Sequence, residues 1–269
     1  MRIEESLKRG QGCGRDKIFV IGFNKTAGTT IAHLCMKNLL EARHQPNWGF
    51  SVGLGKNARG NFWDKFKCFS DGGDRENFQF LSQAYPDSLF VLNCRPIKDW
   101  LFSRFKHGVV EWAAQQKNGT PPSEDAEIFR LEEDGTYRKF INEALHTCNS
   151  EKLKRWIKRN QEHHTEVVNY FSNHAEQLII TDISQPQWIQ FLCEHSGLVS
   201  YDIYSNKRSA KVLNENDIKE FNTSLLEACD SLGIATNDLE TSLFLQSSLN
   251  TSLNKSLQLI KNNLTFMIK

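Results

Sequence analysis

The chain has 269 residues with 33 Lys+Arg against 32 Asp+Glu, a formal net charge of +1, so no global excess exists to hold nucleic acid or an anionic membrane surface, and any anion site must be local. With 39% hydrophobic and 11% aromatic residues it carries enough apolar side chain for a core, which excludes wholesale disorder. A charged N-terminal segment, the lack of any apolar run near the ~18 residues of a spanning helix, and seven scattered cysteines without a CxxC pair predict a cytoplasmic protein with no membrane partner, disulfide framework or zinc knuckle.

Lys17 to Phe23 is a short, β-branched apolar run and predicts a buried strand. From Thr29 to Arg43, Ile31, Leu34, Cys35, Leu39 and Leu40 recur at helical spacing and predict a helix over that stretch. Strand, tight loop and helix in this order open an α/β nucleotide fold. Trp63 to Phe69 predicts a strand, Asp74 to Tyr85 a helix, and Ser88 to Cys94 a second core strand; Pro96 is placed to start a helix running to about Lys106.

Residues 108–150 read as an insertion over the end of a sheet, with a loop at Asn118-Gly-Thr-Pro-Pro122. Glu151 to Phe171 is an amphipathic helix, Gln177 to Asp182 a strand and Pro186 to Ser196 a helix. Beyond Asn214 there is only helical periodicity in a polar background. The expected fold is therefore α/β, a three-layer α/β/α arrangement with a central parallel sheet over residues 1–213, and a helical C-terminal extension over 214–269 packed on it or used in an interface.

The turn Gly22-Phe-Asn-Lys25-Thr-Ala-Gly28-Thr-Thr30 has the makings of an anion cradle. Small residues let backbone N–H groups approach an anion, the helix N-terminus adds its positive end, and Lys25 adds a point charge. It is not a Walker A loop, in which Lys directly follows the last Gly; here Lys25 precedes Gly28 by three residues. Farther along, Arg95 ends a core strand and Ser103 follows eight residues later on a helix, a little over two turns away, a spacing at which a guanidinium and a hydroxyl can serve one phosphate.

Together, Lys25-Thr-Ala-Gly-Thr-Thr30 after one strand and Arg95-Pro-Ile-Lys-Asp-Trp-Leu-Phe-Ser103 after a later one resemble the two phosphate-binding signatures of sulfotransferases that use 3′-phosphoadenylyl sulfate (PAPS). The resemblance spans roughly residues 17–210. It implies that Lys25, Thr26, Ala27, Gly28, Thr29 and Thr30 bind the 5′-phosphosulfate, that Arg95 and Ser103 bind the 3′-phosphate, and that Lys207 and Arg208 form a late basic loop over it. It also implies in-line displacement with a general base and without a metal.

Two departures stand out. Asn24 replaces the Pro usual before the Lys, and the segment from Gln45 to Arg95, where the small cytosolic members carry a His base, contains no His. Asp71, at the corresponding place, is the first choice of base, and His107, four residues beyond Ser103, is the second. His163-His164, flanked by Glu162 and Glu166, reads as a solvated face rather than a metal site.

The expected activity is sulfuryl transfer to a hydroxyl or amine of a soluble small molecule such as a natural product, by a monomer or homodimer. Two rivals remain at this level. One is a P-loop kinase-like phosphotransferase with Asp182 as its Walker-B residue; the other is a non-catalytic nucleotide-binding or scaffold protein.

Overall fold

The computed structural model describes residues 15–44, 65–71, 78–118, 149–201, 213–246 and 266–267, with 108–118 and 266–267 described as backbone only. Its strands are β1 (Ile18–Val20), β2 (Ala42–His44), β3 (Cys68–Ser70), β4 (Leu89–Cys94), β5 (Leu178–Asp182) and β6 (Phe266–Met267). They form one sheet in the order β2-β3-β1-β4-β5-β6, and every pairing is parallel. The helices are α1 (Gly28–Lys37), α2 (Phe78–Ala84), α3 (Ile97–Asn118), α4 (Ser150–Phe171), α5 (Trp188–Ser196) and α6 (Glu215–Leu232). This is the expected three-layer α/β/α fold.

The chain divides into two compact units. The first comprises 1–96, 160–205 and 242–269; the second comprises 97–159 and 206–241.

In the first unit, alternation along the strands divides the core between the two faces of the sheet. Ile18, Val20, Leu89, Val91 and Ile179 pack with Ile31, Leu34 and Cys35 of α1 and with Trp188, Leu192 and Cys193 of α5. Phe19, Ile21, Phe90, Leu92, Leu178 and Ile180 pack with Phe78 and Leu81 of α2 and with Val167, Val168 and Phe171 of α4. Burial on both faces explains why these strands read as continuous apolar runs. In the second unit, Phe102 and Phe105 of α3 meet Phe221 of α6, and the Arg104 guanidinium lies 4.8 Å from the Trp156 ring centroid.

Three expectations need correction. The helix predicted from Thr29 to Arg43 stops at Lys37. Asn38 ends it: its Nδ2 donates to the Leu34 carbonyl and to the Val199 carbonyl, and its Oδ1 accepts from the Val199 N–H. Leu39 then turns into the left-handed region at φ 62°, and the chain enters β2, a strand the periodicity had absorbed into the helix. The helix from Pro96 does not end near Lys106 but continues to Asn118, because Val, Glu, Trp, Ala and Gln residues outweigh the single Gly108. The C-terminal region is not helical throughout. Asn214 and Asp217 close a reciprocal capping box on α6, whereas Leu243 joins the first unit's core and Phe266–Met267 adds the edge strand β6.

Candidate active site

In a parallel sheet all carboxyl ends share one edge, and ligands bind there at the point where successive connections leave in opposite directions. β1 and β4 are neighbours of this kind: the chain leaves β1 toward β2 and β3, and leaves β4 toward β5. The Lys25 turn follows β1, and the half-buried Arg95 follows β4.

The turn is held from below by Asn93, which is 1% exposed. Its Oδ1 accepts the Gly22 N–H at 3.1 Å, and its Nδ2 donates to the Thr26 carbonyl and, at 2.8 Å, to the Thr26 hydroxyl. Thr26 in turn donates its hydroxyl to the Phe23 carbonyl. Gly22 is required by this approach, since a Cβ there would overlap oxygens of Asn93 and lie 2.8 Å from its Cγ.

Above this latch, Lys25 and Ala27 adopt left-handed backbone at φ 64° and 68°, a costly conformation for residues with side chains. Ala27 is the N-cap of α1 and offers no side-chain hydrogen bond, and the first helical turn carries no acidic residue. The first intrahelical bond runs from the Ile31 N–H to the Ala27 carbonyl at 3.1 Å, so the N–H groups of Gly28, Thr29 and Thr30 have no acceptor within the helix. These donors, the helix dipole and Lys25 fit an anion. Gly28 lies beside two further residues: a Cβ there would sit 3.5 Å from both the Asp71 N–H nitrogen and Cε1 of His44, in ordinary van der Waals contact.

His44 and Asp71 come from neighbouring strand ends. The parallel register sets His44 opposite Ser70, and the His44 Nδ1 lies 2.8 Å from the Ser70 hydroxyl. Its Nε2 lies 2.9 Å from the Thr29 hydroxyl and 3.8 Å from Oδ2 of Asp71. Asp71 is itself left-handed at φ 77°. Burial pushes the His44 pKa below its ordinary value; Asp71 opposes this, while the neighbouring His33 and Lys25 add to it.

Thus Lys25, Thr26, Ala27, Gly28, Thr29, Thr30 and Asp71 lie around one cradle, and Arg95 ends the neighbouring strand. Ser103 and His107 lie on α3 in the second unit, both half-buried. Lys207 and Arg208 lie outside the described residues.

Two residues missed from the sequence, His44 and Asn93, complete the arrangement. Asn93 had a signal, a lone amide inside the apolar run Leu89–Cys94, where a buried polar group demands partners. His44 had none once its strand was read as helix.

The reading of His163-His164 as a solvated face is also corrected, since both are 2% exposed. His163 Nε2 donates to the Ile21 carbonyl at 2.7 Å, and its ring packs edge-on against Phe23. His164 Nδ1 accepts the Phe244 N–H at 3.2 Å; burial, reinforced by His163, pushes its pKa down to about 3. Both rings brace the base of the turn against α4.

Asp182, the candidate Walker-B residue, is 2% exposed and its carboxylate is occupied internally. Oδ1 accepts from the Ser184 N–H and hydroxyl at 2.8 and 2.6 Å, and Oδ2 accepts from Gln185 and Ser242 at 3.2 and 2.8 Å. Among the described residues no group of three or more His, Cys, Asp or Glu side chains is placed to hold a metal ion, and no helix is long and apolar enough to cross a membrane. Compared with known proteins, the chain matches no family model and no curated protein.

Proposed function

We propose that this protein is a cytoplasmic sulfotransferase that moves a sulfuryl group from PAPS to a hydroxyl or amine of a soluble small molecule. The observation that carries the reading is the left-handed Lys25–Ala27 turn at the start of α1 with His44 and Asp71 beside Gly28, so that anion-binding donors and acid–base groups lie next to one another. PAPS supplies an activated sulfuryl group whose departure leaves negative charge on a phosphate oxygen.

Lys25 and the N–H groups at the start of α1 stabilise that charge, which is the main electrostatic task in such a transfer. Asn93 keeps these donors in place before the reaction, so they need little reorganisation during it. Arg95, at the end of the strand beside β1, suits a second phosphate on the same nucleotide and acts in binding. The occupied carboxylate of Asp182 speaks against the phosphotransferase alternative, which needs a Walker-B carboxylate available to Mg²⁺.

The test is to incubate the protein with PAPS and a panel of hydroxyl- and amine-bearing metabolites, following release of adenosine 3′,5′-bisphosphate. Release that requires an acceptor and disappears in Lys25→Ala is expected. Release unchanged in that variant overturns the mechanism.

A further inference from the structure

The identity of the base can be taken further, on the premise that the transfer reading above holds. Four groups converge where β2, β3 and α1 meet: His44, Ser70, Asp71 and Thr29. Ser70 is fully buried, while the side chains of His44 and Asp71 are 31% and 34% exposed. One ring nitrogen is therefore bonded to a buried hydroxyl, and the other lies beside Thr29 at the start of α1 and Asp71 at the end of β3.

Both ring partners are hydroxyls, which donate or accept, so the two contacts accommodate either tautomer; in the one with the proton on Nδ1, the ring donates to the Ser70 oxygen and Nε2 keeps a lone pair that accepts from the Thr29 hydroxyl. Asp71 lies on the Nε2 side, the side on which positive charge would appear after proton uptake. The ring also lies beside the start of α1: a Cβ on Gly28 would sit 3.5 Å from Cε1 and 3.8 Å from Nδ1 of His44.

We propose that His44 is the catalytic base: Nε2 takes the acceptor's proton, and Asp71 stabilises the imidazolium that results. As the acceptor oxygen or nitrogen forms its bond to sulfur, its proton passes to Nε2. The bond from sulfur to the bridging oxygen breaks, and its electron pair leaves with adenosine 3′,5′-bisphosphate. This moves the proton from Asp71, the residue selected from the sequence, to the ring beside it. Burial lowers the His44 pKa and so favours the unprotonated ring, and the charged or titratable groups acting on it are Asp71 from the end of β3, His33 from α1 and Lys25 from the turn.

The test is a histidine-ring NMR titration of the full chain from about pH 4 to about pH 9, across the histidine range, with and without adenosine 3′,5′-bisphosphate, whose binding is measured separately by calorimetry. Backbone-to-ring correlations assign His44, so His44 itself need not be replaced. The free protein should show a His44 midpoint below ~6.5, rising by about half a unit or more when the bisphosphate offsets the Lys25 charge. In Asp71→Asn the midpoint should fall. If the bisphosphate binds while the His44 midpoint stays fixed, or while only His107 responds, the assignment to His44 is overturned and the nucleotide reading stands. If the bisphosphate does not bind, the transfer reading fails and takes this proposal with it. Should Asp71→Asn not fold, the wild-type pair of titrations alone decides.

Discussion

Asn93 and Thr26, 67 residues apart in sequence, are joined through one buried amide that donates to both the backbone carbonyl and the hydroxyl of Thr26. The same side chain holds Gly22 at 3.1 Å, so a residue of β4 fixes both ends of the turn that follows β1. The geometry of the Lys25 turn is thereby set by the sheet rather than by the turn's own preferences, which two left-handed residues oppose.

Replacing this amide should be costly in two ways. Asn93→Ala leaves the Gly22 N–H and the Thr26 carbonyl without a buried partner, for which about 1–3 kcal/mol of stability is the ordinary cost of such a group. Urea unfolding should show that loss, and calorimetry should show weaker binding of adenosine 3′,5′-bisphosphate. A variant with wild-type stability and affinity would mean that the latch does not shape the site.

Lys25 separates chemistry from backbone strain. Lys25→Ala and Lys25→Gly should each lose about 100- to 1000-fold in turnover, the usual effect of removing one electrostatic contact to developing charge. Gly accepts φ 64° without penalty, so the Gly variant should be the more stable of the two by about 1 kcal/mol. Thermal unfolding of the pair checks this, and equal stability would argue that the turn relaxes when the side chain is removed.

Acid should destabilise the fold through His164. Its folded pKa of about 3 lies below the ordinary value of 6.5, so the unfolded chain binds the proton more readily. The sign follows: this contribution is complete above pH ~6.5 and is lost as pH falls toward 3, amounting to about 2 kcal/mol by pH ~5. His164→Asn keeps a side-chain acceptor near the Phe244 N–H and should flatten the dependence. Urea midpoints measured over this pH range test it; a variant with the same slope as the wild type would assign the acid loss to other groups.

The sheet was legible because its strands are buried on both faces and so appear as apolar runs, and the Lys25 turn was legible because Gly, Lys and Thr between a strand and a helix have few other uses. β2 was not. Its three residues, Ala42–His44, are only partly buried and follow Leu39 and Leu40, which continue the helical spacing of α1 past its real end. That boundary concealed His44, since a ring placed on a helix has no reason to meet Asp71, whereas a ring at the end of a strand paired with β3 has. His163 and His164 misled in the opposite direction: adjacent rings that diverge on a helix without metal-site spacing read as a solvated face, but the helix lies against the sheet at this point and both rings are enclosed.

Calorimetry of one panel tests the central claim most directly: adenosine 3′,5′-bisphosphate, adenosine 5′-monophosphate, and ATP with Mg²⁺, each against the wild type and Arg95→Ala. The bisphosphate should bind the wild type about 10- to 100-fold more tightly than the monophosphate, the range of one charge-assisted hydrogen-bonded contact, and Arg95→Ala should erase that preference. Preferential binding of ATP with Mg²⁺, or a bisphosphate preference that survives the loss of Arg95, would contradict the account.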